Sequence, residues 1–287
     1  MSAPSSLDIS ASSLPWVTCL CPTYGRFQLL RLSVACFLAQ DYPNKRLLIL
    51  NDATIPLTHG AMFPGVHVLN LEGLFENLGH KRQALLELAP PPQSAIENQK
   101  SKMLCAHWDD DDLYLPWHLS RSVAALLAHP EAHCVKSRGA WYLVGVPPSL
   151  EARGIHHNVF EGSMVFDRQC ALDHGGYPPT HSGQARVLMN CFRLAGQLYE
   201  IPDAEGPVSY VYRWSQGVGH VSALGNKADT LQRFAAANQD FGDGALLTPA
   251  DLSPYWEAIL QNARETLSKD DYEAFEKALK GETANVP

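Results

Sequence analysis

Between Trp16 and the aspartates at 109–112, short apolar runs alternate with segments whose apolar residues recur every three or four positions. "WVTCLCPTYGR" is a β-rich run stopped by Pro22, and Gly25 and Arg26 separate it from a segment in which Leu30, Val34, Phe37 and Leu38 keep helical spacing. "DYPN" ends that helix. "RLLILNDA" is a continuous apolar run, as expected of a parallel strand covered on both faces. "VHVLNLEG" predicts another short strand, "NLGHKRQALLELA" a helix whose opening turn carries Gly79, Lys81 and Arg82, and "KMLCAHWDDDD" a strand ending in the aspartates. Such alternation predicts right-handed crossovers and a mostly parallel sheet. Ligands of these sheets bind outside the carboxyl ends of the strands. The loop Pro22 to Arg26, the pair Asn51 and Asp52, and the aspartates all fall on that one edge.

Beyond Asp112 the pattern changes. "LPWHLSRSVAALLAHP" predicts a helix closed by Pro130, "CVKSRGAWYLVG" a strand, and "FEGSMVFDRQCALDHGGYPP" a strand followed by a short helix with a stop at Gly175. "PVSYVYRWSQGVGHVSALGN" predicts a further strand and a glycine-rich loop. From Thr248 on the chain turns helical, with Ser253 placed as an N-cap before Pro254 and Ser268 at capping-box spacing from Asp271. The two terminal segments are amphipathic and are expected to pack on the rest of the domain. Residues 1–15 predict a loose polar tail, and "APPPQSAIENQKSKM", from Ala89 to Met103, a surface insertion. The aromatics Trp117, Trp141, Tyr142, Tyr177 and Trp214 are of the kind that stacks on a sugar face, but most are expected in the core.

Composition narrows the function classes. The 287 residues are 46% hydrophobic and 18% charged, enough for a substantial core. A formal charge of -8 offers no broad basic face, which disfavours nucleic acid as the primary partner. No apolar stretch approaches the roughly 20 residues of a membrane span. The opening residues show neither the basic nor the apolar region of a secretory signal, so a cytoplasmic protein is expected. Seven cysteines at scattered positions (19, 21, 36, 105, 134, 170 and 191) fit reduced, mostly buried thiols. Cys19 and Cys21 alternate on the first strand and should share one core face.

"HWDDDDLYLP", His107 to Pro116, is the chemical signal. Neighbouring carboxylates repel and raise one another's proton affinity unless a cation holds them. Acidic runs are most often solvated loops. This one, however, follows a buried strand at the edge where the sheet places its ligand. Oxygen-rich clusters suit hard cations, and a magnesium or manganese ion takes one or two carboxylates with phosphate oxygens filling the remainder. The run lacks the alternation and interior glycine of a calcium loop.

Six segments in order, "CPTYGR", "LILNDAT", "LGHKRQALLELA", "HWDDDDLYLP", "GSMVFDRQCALDHGGYP" and "YRWSQGVGHVS", resemble the family 2 glycosyltransferases with a GT-A fold. The resemblance covers roughly Val17 to Ser222. It implies a Rossmann-like, mostly parallel α/β sheet flanked by helices: residues 16–115 as the nucleotide-sugar-binding half, 116–225 as the acceptor half, and 226–287 as a C-terminal helical extension. It also implies transfer of a sugar from a nucleotide-diphosphate donor, a UDP-sugar first, with Mn2+ or Mg2+ as cofactor and usually with inversion. "PTYGR" resembles the family's "PTYNR", so Pro22, Thr23, Tyr24 and Arg26 would line the nucleotide pocket, and Asp52 would meet the base. Lys81 and Arg82 would face the nucleotide or its phosphates. Asp109 would lie near the ribose, with Asp110 beside it among the donor contacts. Asp111 would ligate the metal and serve catalysis through it, and His220 would reach the metal or the diphosphate.

One feature departs from that pattern. The family's proton-accepting carboxylate follows the "GGY" turn at the start of a helix, where this chain has Gly183, Gln184 and Ala185. His181 is the nearest replacement, since a histidine exchanges protons near neutral pH. Glu161, Asp173 and His174 stand behind it, and an acceptor that needs no strong base is a further explanation. A competing reading keeps the fold as a nucleotide-sugar or glycan-binding module of weak or no activity. A nucleotidyltransferase fits less well, because "PTYGRF" has one glycine where a glycine-rich loop is required.

Overall fold

The computed structural model describes residues 14–24, 26–57, 63–89, 102–145, 149–158, 160–214 and 252–279. Four strands, β1 (Trp16–Thr23), β2 (Lys45–Asn51), β3 (Val66–Asn70) and β4 (Met103–His107), run parallel, with β1 between β2 and β4 and β3 outside β2. Helices α1 (Phe27–Leu38) and α2 (Leu78–Glu87) cover opposite faces. The unbroken apolar runs follow from that double cover. Val17, Cys19, Cys21, Leu47 and Ile49 join the cluster containing Leu30, Cys36 and Phe37 of α1. The alternate residues Leu20, Leu48 and Leu50 join Leu85 and Leu86 of α2. Cys19 and Cys21 therefore share a core face, as expected.

The sheet continues past β4 with β9 (Val165–Asp167), β6 (Cys134–Ser137) and β10 (Leu198–Ile201), giving the order β10-β6-β9-β4-β1-β2-β3. β9 is antiparallel to both β4 and β6. A second sheet has the order β5-β11-β7-β8, from β5 (Leu113–Tyr114), β11 (Tyr210–Trp214), β7 (Gly139–Val144) and β8 (Glu151–His157). The single strand expected over "CVKSRGAWYLVG" is thus two strands in different sheets. The Arg138 N–H donates to Ile201 O at 3.1 Å, the last bond toward β10, and from Gly139 on the chain pairs with β8 instead.

Helices α3 (His118–Ala128), α4 (Arg168–Asp173) and α5 (Gln184–Leu194) pack on the main sheet, while α6 (Ser253–Thr266) and α7 (Lys269–Leu279) close the second. Tyr255, Ile259, Ala263 and Phe275 of these terminal helices enter the main core, and the Phe275 ring meets Trp117 and Trp141 at 5.6 and 5.5 Å. Trp117, Trp141 and Tyr177 are buried and Tyr142 half-buried. The Trp214 side chain lies outside the described residues. Ser268 and Asp271 form the expected capping pair, Ser268 Oγ accepting from the Asp271 N–H at 3.2 Å. Ser253, however, is already helical. Leu252 stands at the N-cap, because Pro254 tolerates the first turn from one residue further in. The tail through residue 13 and residues 90–101 of the insertion lie outside the described residues. No described helix is long and apolar enough to cross a membrane.

One core group sets a pH limit on the fold. His118 is fully buried beside the stacked Trp108 and Tyr114 rings, its Nδ1 3.1 Å from Ser209 Oγ. Burial, helped by Arg121, pushes its pKa down to about 3. Below the unfolded value near 6.5, the unfolded chain takes a proton that the folded chain refuses, so stability falls by ~1.4 kcal/mol per pH unit as pH drops toward 3. Above about 6.5 this contribution is constant. Urea midpoints of the native chain should therefore fall between pH 7.5 and 5, and His118→Phe should flatten that part of the slope; equal slopes would place the titration elsewhere.

Candidate functional site

The parallel order brings three carboxyl ends together. β1 ends at Thr23, β2 at Asn51 before Asp52, and β4 at His107 before the aspartates. α2 leans over the same edge from its capped start, where Asn77 Oδ1 accepts from the His80 N–H at 2.9 Å. Gly79 is needed there, since a Cβ at that position would collide with the Pro178 carbonyl of the "GGYP" turn. The Gly79 N–H donates to Thr180 O at 2.9 Å. The "LGHKR" and "GGYP" motifs are thus two sides of one contact.

Each aspartate is held by a donor, Asp110 and Asp111 sharing Arg26. The Asp109 carboxylate accepts from Arg82 Nη2 at 2.5 Å. Asp110 accepts from Thr23 Oγ1 at 2.6 Å and from the Arg26 guanidinium through both oxygens. Asp111 Oδ2 accepts from Arg26 Nη1 at 2.7 Å. Asp112 accepts from the Tyr210 hydroxyl and, at 3.1 Å, from the Arg213 N–H. Protein cations and donors therefore relieve much of the repulsion that the run would otherwise carry. Burial nevertheless pushes the Asp110 pKa up to about 6 against the pull of Arg26, and burial followed by the charges of Asp111 and Asp109 raises Asp112 well above the carboxylate range.

The second buried pair joins Lys81 to Asp52. Lys81 Nζ donates to an Asp52 oxygen and to the Thr23 carbonyl, and the other Asp52 oxygen accepts from the Phe75 N–H at 3.0 Å. Burial draws the Lys81 pKa down while Asp52 holds it up. Behind Arg82, Nη1 lies 3.4 Å from His107 Nδ1, and His107 Nε2 lies 2.5 Å from Tyr177 OH. A guanidinium only donates, so Nδ1 accepts and Nε2 carries the proton. Burial and then Arg82 keep His107 neutral.

Thr23, Arg26, Asp52, Lys81, Arg82, Asp109, Asp110 and Asp111 thus meet at one edge. Pro22 is buried within β1 and Tyr24 half-buried just after it. His181 is exposed on the turn before α5, next to the Thr180 that bonds Gly79. His220 lies outside the described residues. Gln184 begins α5 and is 4% exposed, with no hydrogen-bond partner for its Oε1 among the described atoms. Asp112, Tyr210, Arg213, His107 and Tyr177 were not assigned from the sequence. Their only signal was Asp112's place in the run and the tyrosine of "GGYP".

The donor set fits a hard divalent ion. Asp111 and Asp109 keep 13% and 20% of their side chains exposed at the edge, and their oxygens are the ligand type such ions prefer. Among the described residues no three His, Cys, Asp or Glu side chains gather around a common point. An ion here would take one or two protein carboxylates, and Arg26 would share Asp111 with it.

No protein-family model matches this chain, and no curated protein matches it in sequence. Solved structures do. S. aureus TarS residues 1–349 in complex with UDP-GlcNAc aligns over 93% of this chain and 80% of its own, with a TM-score of 0.56 at 14% identity. The same protein in complex with UDP aligns over 92% and 79%, with a TM-score of 0.51 at 13% identity. The likeness is one of fold: the chain has the α/β architecture of the GT-A glycosyltransferases, as its motifs implied.

Proposed function

We propose that this chain is a family 2-like glycosyltransferase that moves a sugar from a UDP-sugar, or another nucleotide-diphosphate sugar, to an acceptor nucleophile with inversion at the anomeric carbon. The observation that carries this reading is the meeting of Thr23, Arg26 and the aspartate run at the carboxyl edge of a parallel sheet, with Lys81 and Arg82 leaning over it. The likeness to a structure holding UDP-GlcNAc supports the choice of donor.

In this reading Pro22, Thr23, Tyr24 and Arg26 shape the nucleotide pocket, Asp52 meets the base, and Asp109 and Asp110 lie toward the ribose. Lys81 and Arg82, fixed by Asp52 and Asp109, place positive charge beside the diphosphate without the flexibility of solvated side chains. Asp111, oriented by Arg26, would be the carboxylate that holds Mn2+ or Mg2+, and His220, outside the described residues, is proposed to reach the metal or the diphosphate. When bound, the ion offsets the charge that builds on the leaving diphosphate. On the acceptor side, Phe160, Tyr212 and Tyr142 form a row of half-buried rings 5.9 and 5.5 Å apart, leading away from Tyr210 and Asp112. Such rings suit the apolar face of a sugar. His181 is the proton acceptor the sequence points to first.

A second reading, a GT-A module that binds a nucleotide sugar without transferring it, draws support from Gln184 and Ala185 at the start of α5. Incubation with manganese and a panel of nucleotide sugars separates the two. Release of free nucleotide diphosphate is the transferase result. Tight binding without release selects the module, and absence of binding removes both.

A further inference from the structure

Of the acidic side chains around the aspartate edge, five are held by close donors. Asp52 is taken by Lys81, Asp109 by Arg82, Asp110 and Asp111 by Arg26, and Asp112 by Tyr210. Glu161 differs. It opens the short turn Glu161–Ser163 just before β9, its side chain is 26% exposed, and its ion partner is Arg186 Nη2 at 3.7 Å. Arg186 is the third residue of α5, the helix whose first turn carries no acid.

The turn is fastened to the donor side. The Tyr114 hydroxyl accepts from the Asp109 N–H at 2.9 Å and donates to Gly162 O at 3.2 Å, tying the aspartate run to the residue after Glu161. Gly162 has no room for a side chain, since a Cβ there would press on the Tyr210 hydroxyl and lie 3.3 Å from Asp109 Oδ2. From behind, Ser163 Oγ accepts from the Ser137 N–H at 3.1 Å. Phe160, the residue before Glu161, is the single non-glycine with positive φ among the described residues, at φ 35° and ψ 52°. Strain of this kind persists where the surroundings over-determine a conformation, and it gathers at functional sites. Its ring is held against Tyr210 and Tyr212 at 6.1 and 5.9 Å.

We propose that Glu161 takes the acceptor's proton, supplying from this strained turn the carboxylate that the start of α5 lacks. The assignment rests on the transferase reading. The acceptor hydroxyl gives its proton to a Glu161 oxygen as its own oxygen bonds to the anomeric carbon. The bond from that carbon to the donor's phosphate oxygen breaks, its electron pair leaves with the nucleotide diphosphate, and Glu161 returns the proton to water. His174 Nε2 is 2.8 Å from Gln197 Oε1 and its ring packs on Phe192, and Asp173 lies at the end of α4. His181, on the turn that meets α2 at Gly79, is the competitor that the test separates from Glu161.

The test uses the full chain, manganese, a nucleotide sugar that the native chain turns over, and water or azide as the attacking species. Azide needs no proton removed. Glu161→Gln is expected to slow UDP release to water by roughly a hundredfold or more, to bind UDP with native affinity by calorimetry, and to regain release in azide. Glu161→Asp, which keeps the acid, should retain measurable release to water. Native release by Glu161→Gln overturns the proposal, as does a loss that azide leaves untouched, or the azide-rescued loss found in His181→Ala instead. If the native chain cleaves no donor, whether or not it binds one, the transferase reading falls and this assignment with it. If only the Glu161 variants behave as native, this assignment falls alone.

Discussion

Asp111→Asn is expected to lower nucleotide diphosphate release by roughly a hundred- to a thousandfold, the size of effect seen when one group stabilising transition-state charge is removed. The substitution keeps the size of the side chain and removes its charge. Arg26 retains Asp110, which it grips through both oxygens, so the guanidinium stays in place. The Asp111 side chain is only 13% exposed, but removing its charge relieves its repulsion of Asp110 as it gives up the Arg26 ion pair, and the two effects oppose each other. Melting behaviour should therefore be close to native while turnover collapses, and the manganese dependence of UDP affinity should weaken in calorimetry. Unchanged turnover together with unchanged manganese dependence would remove Asp111 from the reaction.

Lys81→Met is expected to act on the fold instead, costing roughly 3–5 kcal/mol because it leaves a buried carboxylate without its cation. Asp52 is 4% exposed and would keep only the Phe75 N–H, and the Thr23 carbonyl would lose a donor as well. Urea unfolding measures the loss. Adding Asp52→Asn should recover a large part of it, since the uncompensated charge is then gone. A single-variant cost below about 1 kcal/mol would mean that water reaches Asp52, and Lys81 would then be a cation held for the donor rather than for the sheet.

Much of the first hundred residues was legible, for a physical reason. Strands covered on both faces are written as unbroken apolar runs, and "LCPT" and "LILN" end where the core ends, so their polar successors had to sit on one edge. The burial of Cys19 and Cys21 follows from the same pattern. β8 and β10 left no such trace, because "EARGIHH" and "LYEI" are half-exposed and mix polar with apolar residues without a clean period. The break between β6 and β7 falls in "KSRG", but Lys136 and Ser137 are themselves buried in β6, so the polar cluster does not read as a loop. The aspartate run was visible as a problem in charge, whereas its solution was not. Thr23, Arg26, Arg82, Tyr210 and Arg213 lie far from it along the chain, up to 101 residues for Arg213, and no local rule pairs residues at such distances. The absence of an acid at Gln184 was readable, but the proximity of Glu161 to the same helix needed coordinates.

The contact between Gly79 and Pro178 makes α2 and the turn before α5 a single mechanical unit. With backbone against backbone there is no side chain to compress or rotate, so neither piece can swing without carrying the other. On the transferase reading, any repositioning of Lys81 and Arg82 by a bound donor would also move the turn that carries His181 and leads into α5.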